Sequence, residues 1–195
     1  VNQVSWDRHK KTELLCVVGE DIFRCDLTRN VLQKMLFSPR NHISRLVRHP
    51  MNNRLCAVGC ETGSAWLWDV ETGQNQPLSR LFDGKVVDLG FDPKSEDYLL
   101  VATAGGVITL WSLDGKFSPS ATKKPTQLTE FAKQGSGLCA CRFVDSMPGT
   151  FVTASDRHGV LRVWNVSNSN PQHAIKMDQG AVSSVAVARG AKSAG

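Results

Sequence analysis

The sequence predicts an all-β chain: about four copies of a four-stranded antiparallel unit, the start of a fifth, and a larger ring of which these are part. Two recurrences and one pattern lead there. FRCDL, WLWDV, TLWSL and RVWNV align at Cys25, Trp68, Trp111 and Trp164, with spacings of 43, 43 and 53 residues. Periods near 40–45 residues belong to four-stranded units that stack on their neighbours. Gly63, Gly106 and Gly159 each stand five residues before the repeat tryptophan, as if one tight turn were used three times. Between these landmarks, apolar residues alternate with polar ones at the strand period of two.

The elements follow one order in each copy. In the third, VVDLGFDP (86–93) alternates at Val87, Leu89 and Phe91 and stops at Pro93. DYLLVATA (97–104) is a continuous apolar run suited to a strand buried on both faces. Gly105 and Gly106 turn the chain into VITLWSL (107–113), and QLTEF (127–131) supplies an outer strand whose charge discourages edge pairing. The second copy reads ISRLVRHP (43–50), RLCAVGC (54–60), SAWLWDV (64–70) and QPLSRLF (76–82). The fourth reads LCACRFVD (138–145), TFVTASD (150–156), VLRVWNV (160–166) and HAIKMD (173–178). VNQVSWD, ELLCVVG, DIFRCDL and VLQKMLF make a divergent first copy with a shorter second hairpin, and AVSSVAVA (181–188) begins a fifth. The units therefore run approximately 1–40, 41–84, 85–134 and 135–179, with 180–195 opening the next. The longer last spacing is explained by DGKFSPSATKKPT, a polar insertion punctuated by Pro and Gly.

Four-stranded units repeated in this way are the blades of a β-propeller. Trp68–Asp69, the glycine-before-tryptophan turns and the 43-residue period resemble WD40 repeats over essentially the whole chain. The resemblance implies a WD40-type β-propeller segment that acts as a protein-binding scaffold in a multi-subunit complex, alongside the remaining blades of the same chain. The sequence departs from the family where Gly-His pairs normally precede first strands: Asp83–Gly84, Gln134–Gly135 and Gln179–Gly180 stand there. The family's Asp–His–Ser–Trp network is therefore expected to be incomplete, with apolar packing carrying more of each blade. DYLLVA (97–102) and PGTFVTASDRHGVLRVWNVSNSNP (148–171) are similar to consecutive blades in the amino-terminal propeller of the WD repeat-containing protein 17 group. That narrower similarity implies trafficking or ciliary work.

Composition agrees with a globular chain, 41% hydrophobic and 21% charged, with no apolar run long enough for a membrane helix. The opening VNQVSWDRHKK places charges where a signal peptide would be apolar. The six cysteines form no C-x-x-C pair and lie in strand-like segments, which suggests small core residues in a reducing compartment. Cys139 and Cys141, two apart, are expected on one sheet face. The cytoplasm is the expected location, with cilium and nucleus as alternatives. Net charge is +5, and residues 1–54 hold ten Lys/Arg against five Asp/Glu. The excess raises a second reading, a propeller that binds RNA or another polyanion through its basic first blade.

No H-x-x-x-H, H-E-x-x-H, G-x-S-x-G or G-x-x-x-x-G-K spacing occurs, so no catalytic residue, metal ligand or cofactor is expected. Binding residues should instead collect on loop rims held by a stiff scaffold. One rim is expected to carry Glu61, Asp83, Lys85, Asp156, Arg157, His158 and Gln179, whose charges suit hydrogen bonds to a peptide. The other is expected to carry Lys10, Lys11, Asn52, Asn53, Lys94, Glu96 and the insertion 114–126. Within the insertion, Ser118, Lys123 and Lys124 mark a candidate docking or modification loop. Trp68, Trp111 and Trp164 are expected to be buried blade packing and not a ligand cage.

Overall fold

The computed structural model describes residues 3–7, 10–95, 97–113, 124–135, 137–155, 159–177, 180–182 and 184–187. Four antiparallel sheets of four strands follow one another along the chain. The first holds β1 (Gln3–Trp6), β2 (Glu13–Val18), β3 (Asp21–Asp26) and β4 (Val31–Lys34). The second holds β5 (Ile43–Arg48), β6 (Leu55–Cys60), β7 (Ala65–Asp69) and β8 (Asn75–Pro77). The third holds β9 (Val86–Phe91), β10 (Tyr98–Thr103), β11 (Ile108–Ser112) and β12 (Thr126–Glu130). The fourth holds β13 (Leu138–Phe143), β14 (Thr150–Ser155), β15 (Val160–Asn165) and β16 (His173–Lys176). Within each sheet the strands pair in sequence order, and the first strands of neighbouring sheets, β1, β5, β9 and β13, lie side by side at the axis. The fourth strands face outward: β4 and β16 are exposed along their whole length.

Each seam between blades is a closed apolar cluster, because second strands such as LCAVGC and YLLVAT carry apolar residues on both faces. Leu15, Val17 and Ile22 meet Leu46, Val58 and Trp68 between blades one and two. Ala57, Leu67 and Phe82 meet Leu89, Leu99 and Trp111 between blades two and three. Leu100, Ile108 and Phe131 meet Cys141, Phe151 and Trp164 between blades three and four. Every seam sets a phenylalanine of one blade's exit segment against the repeat tryptophan of the next. Phe37 stacks on Trp68 at 5.5 Å, Phe82 meets Trp111 edge-on at 6.1 Å, and Phe131 meets Trp164 edge-on at 5.8 Å. Full burial of one such tryptophan contributes roughly 4–6 kcal/mol from its apolar area.

The repeat glycines explain themselves at close range. Gly63, Gly106 and Gly159 all have positive φ, at 87°, 84° and 56°. A Cβ on them would sit 2.1 Å from Phe82 O, 2.0 Å from Gln134 O and 2.1 Å from Gly180 O. Each turn thus closes directly on the backbone that leaves its own blade, and hydrogen bonds lock the approach: Phe82 N–H donates to Gly63 O and Gln134 N–H to Gly106 O.

Three details differ from the sequence reading. The fourth strand of blade two is only Asn75–Pro77, since Leu78 and Phe82 leave the sheet edge to enter the seam. Cys139 and Cys141 point to opposite sides. A bulge between Leu138 and Ala140 breaks the alternation, so Cys141 is buried toward blade three while Cys139 Sγ faces the carbonyls of Ala154 and Val182. The described residues of 180–187 form no strand. They nevertheless occupy a fifth inner position: Cys139 Sγ donates to Val182 O at 3.1 Å just as Ser44 Oγ donates to Val86 O at 2.6 Å.

Candidate functional site

The two rims take shape from the hairpins. Turns between second and third strands meet the interblade connections at one end of the arc, as the Gly63–Phe82 approach shows. There the structure brings together Glu61 and Lys85, whose carboxylate and ammonium lie 3.0 Å apart. The Lys85 hydrogen bond and charge hold the Glu61 carboxyl below the usual range. Asp83 lies beside them, its carbonyl 3.1 Å from where a Gly105 Cβ would stand. Asp156, Arg157, His158 and Gln179 lie outside the described residues. At the opposite rim, Lys10 pairs with Glu13 at 3.2 Å, Asn52 caps its own turn by accepting from Arg54 N–H, and Asn53 O accepts from Arg48. Lys11 is exposed, and Lys94 N–H donates to Asp92. Glu96, Ser118 and Lys123 lie outside the described residues, whereas Lys124 is exposed and its carbonyl accepts from Thr126.

Trp68, Trp111 and Trp164 are fully buried, so none of them is presented to a ligand. Asp69 has a local task. Its carboxylate, 6% exposed, accepts from the N–H groups of Glu71 and Thr72 and from Arg54 at 2.8 Å. Burial pulls this carboxyl upward, but the Thr72, Arg54 and Glu71 bonds outweigh it and leave it below its ordinary value. Asp26 and Asn165 make the same turn in blades one and four, accepting from Thr28 and Ser167 N–H.

The basic excess of the first quarter is mostly neutralised. Lys10, Arg24, Arg29, Lys34, Arg45, Arg48 and Arg54, seven of those ten cations, sit in ion pairs. Three of their partners, Glu71, Asp69 and Asp88, lie beyond residue 54 in sequence, so the asymmetry is a consequence of counting along the chain. The deepest pair, Arg48–Asp7 at 3.0 Å, has both side chains 6% exposed and ties blade one to blade two.

Sequence reasoning missed the axis. A cavity of about 520 Å³ opens among the first strands, lined by Gln3, Ser5 and Trp6 of blade one, Arg48 and Pro50 of blade two, Phe91 and Pro93 of blade three, Arg142, Phe143 and Asp145 of blade four, and Val185–Val187. Side chains at the fourth-last position of the first three inner strands reach across seams. Gln3 grips Leu46 by both main-chain groups, at 2.6 and 2.8 Å, and Asp88 accepts from Cys141 N–H at 2.8 Å. The polar letters Gln3, Arg45 and Asp88 inside the inner strands are the signal of this in the sequence. Among the described residues, no group of three or more His, Cys, Asp or Glu is placed to hold a metal.

Four stacked four-stranded blades, with loop rims around a lined axis, define the class: the chain folds as blades of a β-propeller. No family model matches it. It is similar to the target of rapamycin complex subunit LST8 of Mus musculus, 24% identical over 146 residues, which cover 72% of this chain and 42% of the relative. The LST8 homologue of Drosophila melanogaster is 24% identical over 120 residues, 62% of this chain and 36% of the relative. The chain thus spans less than half the length of these curated relatives. A chain in the crystal structure of the mitotic checkpoint complex superposes with a TM-score of 0.75 at 13% identity, covering 95% of this chain and 54% of that one.

Proposed function

We propose that the chain is a non-enzymatic scaffold whose rims bind other proteins of a multi-subunit assembly, with further blades of the same polypeptide completing its ring. The carrying observation is the build itself: polar turns of defined geometry are held on seams of fully buried Trp and Phe, a rigid frame that presents loops. The relatives fit this reading, since the mouse protein is by name a complex subunit. The proposed contact residues are Glu61, Asp83 and Lys85 with Asp156, Arg157, His158 and Gln179 on one rim, and the 114–126 loop on the other. The proposed location is the cytoplasm, and the WD repeat-containing protein 17-like segments at 97–102 and 148–171 support trafficking or ciliary work. Ion pairing of seven basic residues in the first quarter favours a protein partner over a polyanion.

Crosslinking of the full-length protein in its native assembly tests the proposal. Lys85 or Lys124 should link to a second polypeptide, and the association should survive a rise from 50 to 200 mM salt, a range over which polyanion binding falls steeply. Crosslinks confined to the chain itself, or loss of the complex with salt together with recovery of RNA, would overturn it.

A further inference from the structure

The seam at the axis between blades two, three and four holds an unbalanced charge. The Asp88 side chain is completely buried and already accepts four bonds: from Leu89 N–H at 3.0 Å, Cys141 N–H at 2.8 Å, Arg45 Nε at 3.0 Å and Arg142. Two guanidiniums therefore share one carboxylate whose acceptor capacity is filled. Arg45 gives Asp88 only its Nε, and Arg142 gives Asp88 and its neighbour's carbonyl, Cys141 O, only one terminal nitrogen. Both side chains remain about a third exposed, at 30% and 34%. Nearby, Arg48 pairs with Asp7, and Asp145, which lines the same cavity, forms no ion pair with Arg142. Burial, with repulsion from Arg45 added, brings Arg142 down to about 10. Beside Arg142 the cavity is walled by Trp6, Phe91 and Phe143, apolar surface suited to the residues that flank a charge in a peptide.

We propose that Arg142, backed by Arg45 across Asp88, receives the carboxylate of an acidic side chain that a partner protein inserts into the axial cavity. A guanidinium with unused N–H donors in a partly desolvated site binds an oxyanion through charge-assisted hydrogen bonds. The same chemistry would accept free phosphate. The inference rests on the interaction reading above and gives it a partner chemistry: an aspartate or glutamate with apolar neighbours, entering where the inner strands end at Pro50, Pro93 and Asp145.

The full-length protein decides the matter with two blocked pentapeptides, Gly-Leu-Glu-Leu-Gly and its glutamine counterpart, and with inorganic phosphate. Binding is read from the emission of Trp6, which lines the cavity and is 54% exposed. The glutamate peptide should bind at least tenfold more tightly than the glutamine peptide, and phosphate should compete with it. Arg142→Gln should weaken the glutamate peptide at least fivefold. Asp88→Asn, which removes the competing carboxylate, should strengthen it, an outcome that a purely structural role for these residues would not produce. Equal affinity for the two peptides on the unaltered protein overturns the proposal without any variant having to fold, as does binding of phosphate alone. If native crosslinks persist in Arg142→Gln while peptide discrimination is absent, only this inference falls. If the peptides discriminate but no protein crosslink is found, the scaffold reading falls instead.

Discussion

Three tryptophans occupy one repeat position, yet their indole N–H groups end differently. Trp164 Nε1 donates to Thr153 on the neighbouring strand at 2.9 Å, and Trp111 Nε1 donates to Thr109 on its own strand at 2.9 Å. Trp68 Nε1 is buried with no hydrogen-bond partner among the described residues, because Val58 stands where blade four has Thr153. An unpaired buried donor costs about 1–3 kcal/mol. Thr153→Val should therefore destabilise the protein by about that much in a urea titration. Val58→Thr should cost clearly less than a hydroxyl normally does in a core, since it gives Trp68 an acceptor. The tryptophans were legible in the sequence because they recur at spacings of 43 and 53 residues, each five residues after a glycine. Their partners were not: Phe37, Phe82 and Phe131 lie in exit segments of unequal length, and Thr153 is only one threonine among many until strand register is known.

At the scale of the hairpin, position matters more than residue type. Gly106→Ala must push a methyl to 2.0 Å from Gln134 O at φ 84°, whereas Gly73→Ala, at φ 73°, meets nothing within 4 Å. Both lose the positive-φ preference, worth about 1 kcal/mol, but Gly106→Ala should lose distinctly more, as thermal melts of the two variants would show. The third-to-fourth hairpin of blade two adds a dependence on pH. The folded Asp69 carboxyl lies below its ordinary value, so its contribution is complete above the unfolded value near 3.9 and disappears as pH falls through the folded one. Asp69→Asn should cost roughly 1–3 kcal/mol at pH 6 and progressively less as pH falls below the unfolded value, read from denaturant midpoints. Glycine turns were visible in the sequence through their fixed offset from tryptophan. The bulge that turns Cys139 away from Cys141 was not, since period-two reasoning assumes an unbroken ladder. The axial cavity was hidden for a related reason: its polar residues come from the inner strands of blades one, two and four, which only the ring makes neighbours.

At the scale of the whole described structure, the four blades form an arc whose first and last blades leave apolar side chains uncovered. Trp6, Val4 and Leu32 are exposed on the sheet of blade one, and Ile175 and Met177 are exposed at blade four. Met177 N–H donates to Gly159 O as Phe82 N–H does to Gly63 O, so it stands where a seam residue would be. Surfaces of this kind drive association. Residues 1–195 in isolation should self-associate in analytical ultracentrifugation; a monodisperse monomer that unfolds cooperatively would contradict the open arc. Within the arc, Arg48→Met should cost about 3–5 kcal/mol, because it removes the guanidinium that pairs with Asp7 in a buried seam. Blade count per residue was legible from the period alone. The charge balance was not, since Arg24 and Arg45 find their carboxylates, Glu71 and Asp88, one blade later.

The handover of aromatic rings also means that a blade is not a module that can be cut out. A fragment trimmed after residue 84 keeps Phe82 but discards Trp111, the ring that covers it, and the complementary piece that begins at 85 holds Trp111 uncovered. Any splice, insertion or recombination point between two blades therefore leaves an orphan aromatic on one side of the break, and swaps between repeats should be tolerated only when the donor brings a ring of matching shape to both of its edges.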